Sequence, residues 1–194
     1  MHFEILVEEP SAEVALQVLV PKIAPEATFQ IHPHQGKPAL LGRLVHKLRG
    51  YAAYMKPDWR IVVLVDRDRE DCVDLKKKLA AAAVKAGIPG HVLNRIAIEE
   101  LEAWFLGDVP ALTRAYPNTP PTLGARKGYR DPDAISGTWE ALERALQKGG
   151  YFPGGLGKQQ AAGAIAAHMD VETNRSHSFR VFRDGIRNLG NPIP

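Results

Sequence analysis

Cysteine is almost absent from the sequence, because Cys72 is the single thiol in 194 residues. One cysteine excludes an intrachain disulfide and a zinc centre built from several thiolates, and it is typical of a reducing compartment. Long apolar runs are missing too, since no stretch approaches the roughly 20 residues that span a bilayer. Glu4, Glu8 and Glu9 interrupt the first apolar segment, which therefore does not resemble a signal peptide. We expect a soluble, cytoplasmic protein without membrane contact.

Net charge is also low, at a formal +3. The charge is uneven, because residues 1–108 carry 14 basic and 15 acidic side chains, whereas residues 109–194 carry 11 and 7. The basic excess in the second half favours an anionic partner, although an excess of this size is common on ordinary surfaces. At this length the chain can bury one sizeable core but hardly two, so we expect a single compact domain.

The first half of the chain alternates between strand-like and helix-like segments. Apolar runs predict strands over residues 2–7, 28–32, 60–65 and 91–98. Helical spacing predicts intervening helices over about residues 11–23, 38–54 and 71–86, and a short helix over 99–106. Strands that alternate with helices pair in parallel through right-handed crossovers. The sequence therefore predicts an α/β sandwich, with a mostly parallel four-stranded sheet and flanking helices.

The second half is rich in proline and glycine, which leaves room only for short helices near residues 136–147, 158–168 and 177–188. Trp139, Leu142 and Leu146 would give the first of these helices an apolar face towards the sheet. We therefore divide the domain into a core, residues 1–108, and an irregular helical extension, residues 109–194, packed on that core.

Carboxylates follow three of the four predicted strands. They are Glu8 and Glu9 after the first strand, Asp66 and Asp68 after the third, and Glu99, Glu100 and Glu102 after the fourth. The carboxyl ends of parallel strands meet at one edge of the sheet, where ligand crevices form. Clustered carboxylates repel one another unless a cation offsets their charge, and oxygen ligands suit Mg²⁺ or Mn²⁺. The sequence predicts a divalent-metal site at this edge.

Two expectations concern the directions of these side chains. If residues 66–68 are extended, Asp66 and Asp68 point the same way and Arg67 points elsewhere. If residues 99–102 are helical, Glu99 and Glu102 share one face. As an alternative, the glutamates favour the positive end of the short helix, and Asp68, Glu70 and Asp71 cap the next helix.

Several segments resemble known families. Val7-Glu8-Glu9-Pro10-Ser11-Ala12-Glu13 and Leu64-Val65-Asp66-Arg67-Asp68 resemble the Toprim domain of topoisomerases, primases and overcoming-lysogenization-defect nucleases. Residues 98–104 and 174–179 resemble a family of small, uncharacterised bacterial Toprim-like proteins of the DUF4276 type. One position departs from the pattern, because Toprim domains usually have glycine where this chain has Glu9.

The resemblance implies a Toprim-like Rossmannoid sandwich that acts on phosphodiester bonds. It implies that Glu8 is the general acid/base, that Asp66 and Asp68 hold Mg²⁺ or Mn²⁺, and that Glu99 or Glu102 places a second metal. Glu9 adds another candidate ligand. Topoisomerases and primases need further domains for which this chain has no room, so the resemblance points to a nuclease of DNA or RNA. A separate ATPase subunit and a role in phage defence are implied by the resemblance alone.

Three sets of basic residues are candidate phosphate contacts. Lys37 stands at a predicted helix start, and Arg67 stands between the two aspartates. Lys158 ends a glycine-rich segment that fails the phosphate-loop spacing, because Gln159 follows it and no strand precedes it. Lys158 either reaches the scissile phosphate, as a lysine does in some Toprim nucleases, or is an ordinary solvated lysine.

The third basic set forms a stripe on the last predicted helix. Arg180, Arg183 and Arg187 recur at helical spacing, opposite the apolar residues Phe179, Phe182 and Ile186. Such a stripe can neutralise nucleic-acid phosphates without reading the sequence of bases. An ordinary solvated face is the commoner explanation.

Two other functions stay open. Asp66 and Asp68 could be the nucleophile and acid of a haloacid-dehalogenase-like phosphatase, but that family has its motif on the first strand and threonine where this chain has Glu70. Alternatively, the Toprim fold has become a binding or regulatory module that keeps its acids as a surface for a metal or a partner. The substitution at Glu9 supports this second alternative.

Overall fold

The computed structural model describes residues 1–190, in which four strands form one sheet. The strands are β1 (His2–Val7), β2 (Thr28–Pro33), β3 (Trp59–Asp66) and β4 (Val92–Ala97). Their order in the sheet is β2-β1-β3-β4, and all three neighbouring pairs are parallel. The predicted α/β sandwich is confirmed. The sheet is parallel throughout because a helix returns the chain to the same edge after each strand.

Three helices connect the strands, and five more follow β4 within residues 1–190. The connecting helices are α1 (Pro10–Ile23), α2 (Lys37–Tyr54) and α3 (Cys72–Lys85). The later helices are α4 (Glu102–Leu106), α5 (Val109–Ala115), α6 (Thr138–Lys148), α7 (Lys158–His168) and α8 (His177–Gly190). None of these helices is long and apolar enough to cross a membrane.

Helix α5 was not predicted, because the prolines of the second half, Pro110 among them, indicated irregular structure there. Proline instead occupies the first turn of α5, where its missing N–H needs no partner. The Asp108 side chain caps the same turn by accepting a hydrogen bond from the Ala111 N–H at 2.9 Å. The expectation of a helix from residue 99 was also wrong, since α4 begins at Glu102.

Hydrophobic side chains cover both faces of the sheet. Alternate residues of β1 separate the two layers: Phe3, Ile5 and Val7 join the larger core, and Leu6 joins the smaller one. The smaller core lies under α2 and α3. The larger core combines α1 with buried residues of α4 to α8, so the extension and the sheet share one apolar interior.

Strand register brings the acidic segments together. Val7 of β1 pairs with Leu64 of β3, and Asp66 of β3 pairs with Ala97 of β4. The three strands therefore end at nearly the same height. The predicted edge, at which residues after β1, β3 and β4 meet, is present.

Candidate functional site

Four carboxylates line one small cavity at the carboxyl ends of the strands. They belong to Glu8, Glu9, Asp66 and Glu102, and Ser11, Ala12, Leu64 and Leu101 complete the cavity wall. Only 8% of the Glu8 surface and 3% of the Glu102 surface is exposed. We call this cavity the carboxylate pocket.

Each of these acids is placed by the end of a regular element. Glu8 directly follows β1, and its Oε1 accepts a hydrogen bond from the Asp66 backbone N–H at 2.7 Å. Asp66 is the last residue of β3, and Glu102 is the first residue of α4. Glu9 precedes α1, and its Oε2 accepts a hydrogen bond from the Ser11 hydroxyl at 3.4 Å.

Burial shifts the acid–base behaviour of the carboxylate pocket. Desolvation raises the pKa of Glu8 to about 7, although the hydrogen bond from Asp66 and the charge of Lys37 oppose the rise. Desolvation likewise raises the pKa of Glu102 to about 7, against the opposing charge of Lys158. The pKa of Asp66 lies well above its ordinary value, because of desolvation first and the charges of Glu8 and Glu102 next.

Lys158 lies beside the carboxylate pocket. Its Nζ is 3.5 Å from Glu9 Oε2 and 3.9 Å from Glu102 Oε1. Burial alone would lower the pKa of Lys158, but the charges of Glu102 and Glu9 outweigh burial and raise it. This lysine is therefore a partly buried cation at the pocket and not a remote solvated side chain.

Asp68 does not share the direction of Asp66. The expectation of an extended segment was wrong, because Asp68 has a left-handed backbone with a φ of 51°. Its half-exposed carboxylate accepts a hydrogen bond from Lys37 Nζ at 2.7 Å. Lys37 also binds Glu70 at 3.1 Å, so this predicted phosphate contact is held by two carboxylates.

Glu99 is likewise separated from Glu102. Glu99 lies before α4 with a φ of 59°, so the two glutamates do not share a helical face. Its carboxylate pairs with Arg67, another predicted phosphate contact. The Asp68 N–H donates to the Glu99 carbonyl at 2.9 Å and thereby couples the two left-handed residues. Each left-handed residue costs roughly 1–2 kcal/mol, which the surrounding contacts must offset.

Asp68 and Glu99 line a second, more open cavity of about 350 Å³. Its other lining residues are Arg69, Glu100, Ser136, Gly137, Glu140 and Arg144. The predicted acidic set is thus split between two neighbouring cavities, and the carboxylate pocket keeps Glu8, Glu9, Asp66 and Glu102.

The arginine stripe of α8 is mostly engaged in ion pairs. Arg183 and Arg187 both pair with Glu172, and Arg183 also pairs with Asp184. Arg180 is exposed. On the opposite side the predicted apolar stripe is confirmed, since Phe179, Phe182 and Ile186 are fully buried.

The donor set of the carboxylate pocket fits a hard divalent cation in its chemistry. All four acids offer oxygen ligands, and no side chain or N–H of residues 1–190 donates a hydrogen bond to the Asp66 carboxylate. However, no group of three or more His, Cys, Asp or Glu side chains within this range is arranged as a formed metal site. The pocket therefore offers the oxygen ligands that such a cation prefers, but its side chains are not arranged around one coordination point.

The prediction that Trp139 packs in the core was wrong. Trp139 was expected to join Leu142 and Leu146 in the core, and both leucines are fully buried. Trp139 is instead partly exposed, and Lys158 Nζ lies over its ring at 5.5 Å from the centroid. Helical spacing could not reveal this, because Trp139 lies in the first turn of α6, at the rim of the core.

The fold and the carboxylate pocket define an α/β protein whose acidic site lies at the carboxyl ends of a parallel sheet. The chain belongs to the DUF4276 family, described as a domain of unknown function, whose model matches residues 7–187. The match includes all four pocket carboxylates and Lys158. No match is found among the curated proteins or among the solved structures.

Proposed function

We propose that the protein is a divalent-metal-dependent nuclease of the Toprim type that hydrolyses phosphodiester bonds of DNA or RNA. The carboxylate pocket carries this proposal. Glu8, Asp66 and Glu102 all have raised pKa values, for which desolvation is the largest cause. Burying acids together is unfavourable for folding, so such a set is typical of a functional site.

Asp66, with Glu9 or Glu102, would hold the cation. A bound Mg²⁺ or Mn²⁺ would supply charge neutralisation at the phosphate and activation of a water molecule. Asp68 and Glu99 were predicted as ligands too. Their contacts with Lys37 and Arg67 direct them to the neighbouring cavity, so we assign them no part in the first metal site.

Glu8 is suited to the role of general acid/base. A group with a pKa of about 7 can both accept and release a proton near neutral pH. The Asp66 N–H fixes Oε1 of Glu8 at 2.7 Å, while no side chain or N–H of residues 1–190 donates to Oε2. The fixed oxygen orients the carboxylate and leaves the other oxygen for proton transfer.

Lys158 supplies a cation next to these acids. It is the first residue of α7, a helix of 11 residues whose N-cap, Gly157, has no side chain to bind the free N–H groups. A lysine and a positive helix end at one place favour an anion. We assign to Lys158 the binding of a phosphate oxygen adjacent to the scissile bond.

Cleavage by the purified protein tests the proposal. Supercoiled plasmid, single-stranded DNA and RNA are incubated with Mg²⁺ or Mn²⁺, and products are resolved on gels. We expect cleavage that falls by about 10²- to 10⁴-fold in Asp66→Asn and in Glu8→Gln. Asp74→Asn makes the same chemical change at an exposed residue of α3 and should cleave like the wild type.

Thermal unfolding of each variant shows whether it is folded. The nuclease proposal fails if the folded wild type cuts no substrate with either metal. It also fails if Asp66→Asn and Glu8→Gln cut as fast as Asp74→Asn, because a contaminating nuclease would then explain the activity.

A binding module without catalysis is the second candidate. One observation favours it: no formed group of three metal-binding side chains exists in residues 1–190. Titration with Mn²⁺, followed by electron paramagnetic resonance, separates the two candidates when combined with the cleavage assay. Mn²⁺ that binds to the wild type, without cleavage of any nucleic acid, would favour the binding module.

The resemblance extends the proposal to a separate ATPase subunit, to phage defence and to a cytoplasmic location. The first of these is testable in the native host by tagging the chain and identifying proteins that copurify with it. A stoichiometric ATPase is expected, and its absence from a preparation that retains nuclease activity would remove this part of the proposal.

A further inference from the structure

We propose that Trp139 is a stacking platform for an unpaired nucleobase, so that the substrate of the carboxylate pocket is single-stranded nucleic acid. This inference rests on the proposed function, since it places a base beside the phosphate that the pocket would cleave. The juxtaposition of Trp139, Lys158 and the pocket carboxylates carries it.

The position of Trp139 links an aromatic face to the pocket. Lys158 Nζ lies 5.5 Å from the centre of the indole ring and 3.9 Å from Glu102 Oε1. The same lysine can therefore contact a phosphate at the pocket while the ring contacts the attached base. Aromatic rings next to a cationic groove are the usual arrangement for binding single strands.

The backbone of Trp139 is fixed at the start of α6. The Trp139 N–H donates to Glu100 Oε2 at 2.9 Å, and the neighbouring Thr138 hydroxyl donates to the same oxygen at 3.0 Å. Glu100 thus anchors the first turn of α6 to the segment that leads into α4. Because the backbone is fixed, only the two side-chain torsions of Trp139 remain to be ordered when a base binds.

Apart from Lys158, which lies over its ring, Trp139 contacts no aromatic or core partner within residues 1–190, in contrast to Trp104. Trp104 is fully buried and contacts Phe179 at 5.2 Å between ring centres. Trp59 packs against His2, with the two tilted rings 4.5 Å apart between centres. Trp139 belongs to neither hydrophobic cluster of residues 1–190 and contacts no other aromatic ring within that range. A partly exposed tryptophan outside the core is free to stack on a ligand.

Oligonucleotides with and without bases test the inference apart from cleavage. The probes are fluorescent oligothymidylate, oligouridylate and an abasic oligomer of the same length, and binding is measured by anisotropy with Ca²⁺ in place of Mg²⁺. All three probes carry the same phosphate charge, so the electrostatic contribution is shared. We expect the probes with bases to bind about 5- to 150-fold tighter than the abasic probe, which is the range for stacking on one aromatic side chain.

Three variants locate the effect. Trp139→Ala should remove the difference between thymidylate and abasic probes, and Trp139→Tyr should restore most of it, because tyrosine keeps an aromatic face. Trp59→Ala is the matched control, since Trp59 begins β3 at the opposite edge of the sheet and should keep the full difference. Thermal unfolding confirms that each variant is folded, and Trp59→Phe replaces the control if the alanine variant is not.

The results separate this inference from the nuclease proposal. Equal binding of thymidylate and abasic probes by the wild type, or an unchanged difference in folded Trp139→Ala, overturns the stacking platform even if the protein is a nuclease. Loss of the difference in Trp139→Ala supports the platform even if no substrate is cleaved. Tighter binding of duplex than of single strands would also overturn it.

Discussion

Replacing Glu102 with glutamine should stabilise the protein above pH 7 and leave its stability below pH 4.5 unchanged. Desolvation raises the pKa of Glu102 from 4.5 to about 7, and Lys158 offsets only part of this rise. Between these two pH values the folded protein holds a proton that the unfolded chain releases. The resulting stabilisation is fully present below pH 4.5 and is lost as pH rises through about 7.

The pKa difference sets the size of the effect. Each pKa unit corresponds to about 1.4 kcal/mol, so ionised Glu102 lowers the free energy of unfolding by about 3 kcal/mol relative to its protonated form. Glutamine has nearly the same shape as protonated Glu102 and cannot ionise. For a protein of this size the variant should therefore unfold about 6–12 °C above the wild type at alkaline pH.

Urea unfolding is followed by circular dichroism over a pH series, in a buffer with chelator. It measures the difference in the free energy of unfolding between Glu102→Gln and the wild type. Glu26→Gln is the control, because it removes the same charge at an exposed residue remote from the carboxylate pocket. The gain of Glu102→Gln over this control should grow from near zero at low pH to its full size above pH 7. A gain that does not depend on pH, or a less stable variant above pH 7, would refute the role assigned to desolvation.

Two other predictions concern metal binding and packing. Mg²⁺ or Mn²⁺ should raise the unfolding temperature of the wild type more at pH 8 than at pH 6, because the carboxylates must ionise to bind the cation. At 100 times the dissociation constant the cation stabilises the fold by about 2.7 kcal/mol, and this gain should vanish in Asp66→Asn. Equal stabilisation of the wild type and Asp66→Asn would contradict the metal site. Gly107→Ala should lower the free energy of unfolding in urea by about 1–3 kcal/mol, because the added Cβ would lie 2.9 Å from Ser176 N. Gly42→Ala is the contrasting variant: its Cβ would lie in open space within α2, so it should raise the free energy of unfolding by about 0.5–1 kcal/mol.

The layout of the sheet could be predicted because it depends on local signals. The β-branched run 60–65 predicts a buried strand, and helices between strands dictate parallel pairing. Since parallel strands end at one edge, the meeting of residues after β1, β3 and β4 followed from topology alone. Glu8, Asp66 and Glu102 are at that edge for this reason.

The split of the acids between two cavities could not be predicted from spacing. It depends on the left-handed backbones of Asp68 and Glu99, and on ion pairs with Arg67 and Lys37. These contacts join segments that are about 30 residues apart in the chain, so no periodicity in the sequence encodes them. The position of Trp139 outside the core could not be predicted either, because its spacing from Leu142 is that of a core residue.

The carboxylate pocket also links stability to ligand binding. Glu8 and Glu102 ionise as the pH rises through about 7, and their charges disfavour a charge on Asp66. The cation of Lys158 lies 3.5–3.9 Å from Glu9 and Glu102. Protons and cations relieve the same repulsion, so they compete for these oxygens and both stabilise the fold. The stabilisation of the fold by a cation should therefore grow as the pH rises through about 7, which is also where Glu8 becomes an effective base. A pocket whose acids were merely solvated would show neither this competition nor this gain.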